Sequence, residues 1–171
     1  MENTWVHSLG GPLILIPQSA CQHWTGAPRN YPNEEGDYGR ACAVDDFIDL
    51  IDVGPARALV LGDDPARTTF LPAHGILLRE IAGDDDDEIR EAAIRLLPAM
   101  SWSSRLLWEV TEPLVLFDSV YDYGHVAADS KEHIHVDLAP GRYTVEAAYL
   151  EIPDTAHLIL VRLIPAAQPA S

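Results

Sequence analysis

The chain has 171 residues, of which 47% are hydrophobic and 22% charged, a composition typical of one ordinary globular domain. Asp and Glu number 27 against 11 Lys and Arg, so the formal net charge is −16. A field of that sign repels nucleic acid and anionic membranes and attracts basic proteins. We therefore expect no nucleic acid and no membrane among the partners.

The first half of the chain predicts short strands and one long loop. Residues 12–17 form an apolar run bounded by prolines, a pattern typical of a buried strand. Residues 25–39 are rich in Gly, Pro, Asn and Tyr. They predict an ordered loop that Tyr31 and Tyr38 pin to the core. Further strands are expected at residues 68–71 and 75–82, and in the second half of the chain at 105–110 and 114–117.

Residues 40–53 fit two structures. Val44, Phe47, Ile48 and Ile51 fit one apolar stripe of a helix, yet the segment is also rich in strand-forming residues. A turn at residues 54–55 leads into a clear strand at 57–61. We favour two antiparallel strands across that turn, with a helix as the alternative.

One main helix is predicted near residues 86–98. Ile89, Ala92, Ala93, Leu96 and Leu97 recur at the spacing of one apolar helix face. The preceding run 84–87 is four aspartates, which supply candidate N-caps and meet the positive end of the helix dipole. A proline at position 98 closes the segment.

The last third predicts a C-terminal β-meander from strands at residues 133–138, 142–152 and 156–164. Together the segments indicate an α+β fold with a mostly antiparallel, strongly curved sheet. No linker divides the chain, so we expect a single domain over residues 1–165. A flexible tail is expected at residues 166–171.

Two histidines raise the possibility of a metal-dependent enzyme. His133 and His135 stand at i and i+2 of a predicted strand, so both imidazoles point to one face. Asp137 shares that face, and Asp118 or Asp122 could add a ligand. Because His-x-His on a polar strand face is common, a solvated face is the preferred interpretation, with no cofactor and no catalytic residue.

The two cysteines, Cys21 and Cys42, have no metal-binding or redox spacing, and we expect both to be small buried side chains. The N-terminus lacks the basic region of a signal peptide. The apolar runs are too short to span a bilayer. These observations predict a cytoplasmic protein with reduced thiols.

Acidic clusters are the strongest candidates for a functional surface. They occur at Asp45 and Asp46, at Asp63 and Asp64, and at Asp84, Asp85, Asp86 and Asp87. Solvated turns and a capped helix would explain them without a partner. The functional interpretation is a surface that binds a cationic protein.

Several short motifs resemble, in their order along the chain, the Immunity protein 21 family of bacterial polymorphic-toxin systems. The motifs are Gly-Gly-Pro-Leu at 10–13, His-Trp-Thr-Gly at 23–26, Asp-Tyr-Gly-Arg-Ala at 37–41, Leu-Gly-Asp-Asp-Pro at 61–65, Thr-Phe-Leu-Pro at 69–72 and Pro-Gly-Arg-Tyr-Thr-Val at 140–145. The resemblance implies a non-enzymatic α+β protein that neutralises a cognate toxin by binding it.

The resemblance and the charge together predict how the partner is recognised. A nuclease toxin would need a basic site to hold phosphates, and an acidic patch could occupy that site. Binding hot spots favour aromatic residues, so Trp24, Tyr31 and Tyr38 are the expected anchors among the charges. The alternatives to an immunity protein are the metal enzyme of His133 and His135 or a small-molecule-binding regulatory module.

Overall fold

The computed structural model describes residues 4–167, and in that range ten strands form two antiparallel sheets that pack face to face. The strands are β1 (Leu13–Pro17), β2 (Ile48–Val53), β3 (Ala56–Leu61), β4 (Arg67–Leu71), β5 (Ile76–Gly83), β6 (Ser104–Val110), β7 (Leu114–Asp118), β8 (His133–Val136), β9 (Gly141–Ile152) and β10 (Ala156–Pro165). The first sheet has the order β2-β3-β1-β7-β8, and the second has the order β4-β5-β10-β9-β6.

The main core lies between the sheets. Alternate residues of a strand point to one face, so Leu13 and Leu15 of β1 meet Tyr143, Val145 and Ala147 of β9 in one buried cluster. The strand predicted at residues 142–152 is therefore confirmed, and its first three inward positions are buried. The α+β class with mostly antiparallel strands is confirmed as well.

Helices cover the outer face of each sheet. The helices are α1 (Gly36–Cys42), α2 (Asp86–Leu96) and α3 (Tyr123–Ala127), and short 3-10 segments occupy Gln18–His23 and Leu97–Ala99. In α2, Ile89 and Ala93 pack on Leu158 and Leu160 of β10. The predicted helix near 86–98 therefore ends as a regular α-helix at Leu96 and continues as a 3-10 turn that contains the proline.

In the ambiguous segment 40–53 the residues of the predicted helical stripe, Val44 to Ile51, form no helix. The helix α1 extends to Cys42, and β2 begins at Ile48 and pairs with β3 across the turn at Gly54 and Pro55. Gly54 has a φ of 55°, a left-handed conformation that glycine adopts without a steric penalty. The favoured hairpin is confirmed, while the first residues of the segment belong to a helix too short to show apolar periodicity.

The prediction of a C-terminal β-meander is wrong. Strand β8 pairs with β7 in the first sheet, whereas β9 and β10 pair with each other in the second. The buried Val136 faces Leu114 at the end of β8. The chain then crosses between the sheets through residues 137–140, where Pro140 has no N–H for a strand ladder. Two packed sheets thus replace the single curved sheet that was predicted.

The first residue of the expected tail, Ala166, is bonded to strand β9. The backbone N–H of Ala166 donates to the carbonyl oxygen of Arg142 at 2.8 Å, which extends the pairing of β9 and β10 by one residue. Residues 168–171 of the expected tail lie outside the described range.

A buried arginine joins the two sheets. Arg79 lies on the inward face of β5 and is fully buried. Its guanidinium donates to the carbonyl oxygens of Gly62 at 2.8 Å and of Leu61 and Asp64 at 3.1 Å. These acceptors lie at the end of β3 and in the loop that leads from the first sheet into β4. Burial lowers the pKa of Arg79 to about 10, although the nearby Asp63 and Asp64 oppose that shift.

We predict that Arg79→Met lowers the free energy of unfolding by about 3 kcal/mol, because two buried carbonyl groups and one part-buried carbonyl group lose a charged donor. Urea denaturation measures this change. Arg57→Met is the matched control, since Arg57 is exposed on β3 and its loss should cost less than about 0.5 kcal/mol. Equal effects of the two substitutions would contradict a structural link through Arg79.

Candidate partner-binding surface

Two of the three acidic clusters meet where β2 begins and β3 ends. In the β2–β3 hairpin, Ile48 pairs with Leu61, so the residues before β2 lie beside those after β3. The N–H of Gly62 donates to the carbonyl oxygen of Phe47 at 2.9 Å. A side chain at Gly62 would collide with the carbonyl oxygen of Asp46. Close backbone packing thus places Asp45 and Asp46 next to Asp63 and Asp64.

The third cluster lies at the same end of the molecule. Strand β4 begins shortly after Asp64, and its first residue, Arg67, pairs with Glu80 near the end of β5. The Arg67 guanidinium also binds the carboxylate of Asp86 at the start of α2. We use the name acidic rim for the three clusters together, which comprise Asp45, Asp46, Asp63, Asp64 and Asp84 to Asp87.

Some carboxylates of the acidic rim are already engaged. Asp86 shares Arg67 with Glu80, and Asp87 binds Arg90. Asp46 accepts from its neighbouring backbone N–H and from the Ser104 hydroxyl at 2.7 Å.

Four other carboxylates of the acidic rim face solvent. Within residues 4–167 they form no ion pair and no side-chain hydrogen bond; they belong to Asp45, Asp63, Asp64 and Asp84. They provide the negative field that a cationic partner would meet.

Arg67 lines a shallow groove beside the acidic rim. Its guanidinium stacks over the Trp5 ring at 4.2 Å, and its Nε donates to Glu80 at 2.6 Å. Burial lowers the pKa of Arg67, but hydrogen bonds to Asp86 and Glu80 outweigh it and raise the pKa. The groove has a volume of about 450 Å³ and is lined by His7 to Gly10, Pro65 to Arg67, Glu80 and Ile81.

Leu9 is an exposed apolar side chain in this groove, at 71% of its maximum exposure. The sequence did not indicate it, because Leu9 lies in an irregular segment before β1 and belongs to no periodic pattern. Its place in the groove, next to Pro65, brings an apolar contact close to the acidic rim. The Leu9 side chain is more exposed than those of Trp24 and Tyr31, which the sequence predicted as anchors.

The predicted aromatic anchors occupy three different environments. Trp24 is 2% exposed and its indole N–H donates to the carbonyl oxygen of Ser119 at 3.0 Å, so this residue belongs to the core and is closed to a partner. Tyr31 is 42% exposed and meets the half-buried Tyr38 edge to face at 5.0 Å. Burial and a hydrogen bond with Cys42 raise the pKa of Tyr38. Only Tyr31 offers a largely free ring.

The two histidines of the alternative enzyme interpretation are neighbours without a third ligand. The rings of His133 and His135 are 5.3 Å apart. His133 Nδ1 lies 3.1 Å from the carbonyl oxygen of Val126. No group of three His, Cys, Asp or Glu side chains is arranged to hold a metal ion in the described part of the chain.

Of the three further candidate ligands, Asp137 is exposed, and Asp118 and Asp122 have other partners. Asp118 is buried and accepts from the N–H of Leu9 at 2.8 Å, and burial raises its pKa. Asp122 caps α3 by accepting from the N–H of His125 at 2.8 Å. Both carboxylates therefore stabilise local backbone.

The cysteine prediction is half right. Both thiols are free; Cys21 is buried, and burial together with Glu112 raises its pKa to about 12. Cys42 is exposed, because it lies at the end of α1 on the side away from the sheet-covering Ala41. No helix among residues 4–167 combines the length and the hydropathy that crossing a membrane requires.

The molecule thus has a two-sheet α+β fold with an exposed acidic end. The sequence profile of the family described as Immunity protein 21 matches residues 4–156, which is most of the chain. The chain belongs to this family of immunity proteins from toxin systems. Searches of curated proteins and of solved structures find no significant match.

One carboxylate of the acidic rim has a local role that stability measurements can separate from binding. The Asp85 side chain caps α2 by accepting from the N–H groups of Asp87 and Glu88 at 3.0 Å. We predict that Asp85→Ala lowers the free energy of unfolding by about 1 kcal/mol. The matched substitution Asp84→Ala removes the same charge without a hydrogen bond and should cost less than about 0.5 kcal/mol. If chemical denaturation gave equal losses, the cap would not stabilise the helix.

Proposed function

We propose that this protein neutralises a cognate bacterial toxin by direct binding, with the acidic rim as the contact surface. Membership of an immunity protein family supports the class of function. The observation that supports the surface is the arrangement of three separate acidic clusters along one end of the fold. Four of the carboxylates there are exposed and without an ion pair in residues 4–167.

The partner best suited to such a surface is a toxin with a basic site. Exposed carboxylates steer a basic protein towards the complex and can raise association rates to about 10⁸–10⁹ M⁻¹s⁻¹ at low salt. A nuclease must carry cations to hold its phosphate backbone, so a nuclease is the proposed toxin class. The acidic rim would occupy those cations and keep the substrate out.

Charge on the two surfaces speeds association and orients the partners. A complex that dissociates slowly also needs contacts from which water is excluded. Leu9 in the groove supplies an exposed apolar side chain adjacent to the acidic rim. Tyr31 supplies a second one on the loop before α1. We propose Leu9 and Tyr31 as the apolar contacts and assign Trp24 to the core.

In this proposal the protein acts by binding and has no catalytic residue. We also propose that it acts in the cytoplasm, where the two unpaired thiols would remain reduced.

The test of this function is co-expression with the product of the adjacent gene in a bacterial host. We expect the neighbouring protein to be toxic alone, the pair to support growth, and the two chains to purify together. Growth rescue by a variant that no longer forms the complex would contradict neutralisation by binding. Failure to rescue growth would count against the immunity function itself.

The acidic rim is tested with a variant in which its four unpaired carboxylates become amides. These substitutions are Asp45→Asn, Asp63→Asn, Asp64→Asn and Asp84→Asn. They leave the cap and the ion pairs intact. We predict an association rate with the toxin about tenfold lower at low salt, with a weaker salt dependence. Stopped-flow kinetics at several salt concentrations measures both.

The matched control removes four exposed carboxylates elsewhere and so has the same net charge. It carries Asp52→Asn, Asp122→Asn, Asp129→Asn and Asp137→Asn. The association rate should fall less in the control, because its carboxylates are not concentrated at the contact. Equal rates for the two variants would mean that net charge, and not the acidic rim, drives association.

A further inference from the structure

Strand β6 forms one edge of the second sheet, and its register shows which backbone groups point away from the sheet. The N–H of Ala166 donates to the carbonyl oxygen of Arg142, so the groups of Arg142 point towards β10. Bonding direction alternates along an antiparallel strand. The odd-numbered residues of β9 therefore bond towards β6, as the donation from Ser103 N–H to Ala147 C=O at 2.9 Å also shows.

The open edge of β6 consequently belongs to Arg105, Leu107 and Glu109. The odd residues of β9 pair with Ser104, Leu106, Trp108 and Val110, which leaves the alternate residues of β6 directed outward. No hydrogen bond within residues 4–167 is made to the backbone of these three residues. Their side chains are exposed, and that of Leu107 is 57% exposed although it is apolar.

The first sheet does not close this edge. Its contacts with β6 use inward-facing side chains, because Ser104 binds Asp46 and the Trp108 indole donates to the carbonyl oxygen of Arg57 at 3.1 Å. Exposed strand edges are normally shortened, covered or given charges that prevent pairing. A seven-residue open edge with an exposed leucine at its centre is therefore a candidate for pairing with another strand.

The other sheet edges are covered, short or charged with one sign. Val6 covers β4 with a two-way backbone bridge to Thr68 at 2.8 and 2.9 Å. Strand β8 has only four residues. Strand β2 carries two aspartates and no cation, and the Arg40 side chain binds the carbonyl oxygen of Asp52. Among the described edges, β6 alone is long, uncovered and charged with both signs.

We propose that the open edge of β6 pairs with β6 of a second copy of this chain, antiparallel about a two-fold axis at Leu107. In this register Arg105 of each copy lies opposite Glu109 of the other, and the two Leu107 side chains face each other. The charges of the strand are thus complementary to the same strand reversed, as an isologous two-fold interface requires. If β2 paired in the same way with β2 of a second copy, its aspartates would face each other.

The outward backbone groups fit this register. Each of the three residue pairs exchanges both of its backbone hydrogen bonds, so the groups of Arg105, Leu107 and Glu109 all find partners. The second sheet then continues across the axis, as in other interactions by strand addition. On the outer face, Leu107 lies in one cross-strand row with Thr144 and the exposed Ile164, which extends the apolar contact at the axis.

The oligomeric state of the full chain tests this interface. Each copy carries a formal charge of −16, so the measurement is made at about 0.15 M salt, where repulsion is screened beyond about 8 Å. We expect sedimentation to show a dimer that dissociates on dilution between about 100 and 1 µM. In the dimer, NMR hydrogen exchange should show slowed exchange of the amides of Arg105, Leu107 and Glu109. A monomer throughout this range, or a dimer without this protection, would overturn the proposal.

Charge substitutions identify the register. Glu109→Arg places two like-charged pairs across the axis and should weaken the dimer about tenfold or more. Leu107→Asp, at an exposed site, should do the same by facing two carboxylates. The control Glu91→Arg makes the same charge change on α2 and should leave the dimer intact. Circular dichroism establishes that every variant is folded.

A mixing experiment separates this register from others. Glu109→Arg and Arg105→Glu chains should each be monomeric at a concentration where the wild type is a dimer. Their mixture restores opposite charges at both pairs and should form a heterodimer. Arg105 also binds Glu146 at 2.8 Å, but Glu146 keeps its bonds to Arg162, so folding should survive. If the two folded variants did not dimerise on mixing, a two-fold axis at Leu107 would be refuted.

Discussion

The buried guanidinium of Arg79 is the interaction on which the arrangement of the two sheets depends. It belongs to β5 of the second sheet, yet all three of its acceptors are carbonyl groups at the exit of β3 from the first sheet. Burying a charge is costly unless it is hydrogen-bonded, and the pKa lowered to about 10 reflects that cost. The same contacts hold the loop of Asp63 and Asp64, so the residue that joins the sheets also positions part of the acidic rim.

Some carboxylates of the acidic rim stabilise the fold, and others are exposed at its surface. Asp85 caps a helix, and Asp86 and Glu80 share Arg67, which stacks on Trp5. These contacts explain part of the acidity without any partner. The carboxylates of Asp45, Asp63, Asp64 and Asp84 have no such contact in residues 4–167, and they are the ones whose repulsion a cationic protein would relieve. The bonded carboxylates thus hold the acidic rim to the fold, and the four unbonded carboxylates are exposed to solvent.

Local pattern was sufficient for nearly every strand and for the longest helix. The proline-bounded run at β1, the alternation in β9 and the apolar face of α2 are each readable within a dozen residues. The assignment of β8 failed because sheet membership is a long-range property. Val136 pairs with Leu114 and not with the strand that follows it along the chain, and no local pattern distinguishes these two partners. The helices α1 and α3 were missed because one or two turns are too short to show periodicity.

The sequence by itself determined the sign of the charge, the existence of three acidic clusters, the α+β class and the resemblance to an immunity protein family. Tertiary structure decided which candidates share a surface. It brought the acidic clusters to one end of the fold, because antiparallel pairing joins the start of one strand to the end of another. It also buried Trp24, exposed Cys42 and placed Leu9 beside the acidic rim. Burial and adjacency depend on contacts between residues far apart in the chain, and therefore only the folded structure defines the surface.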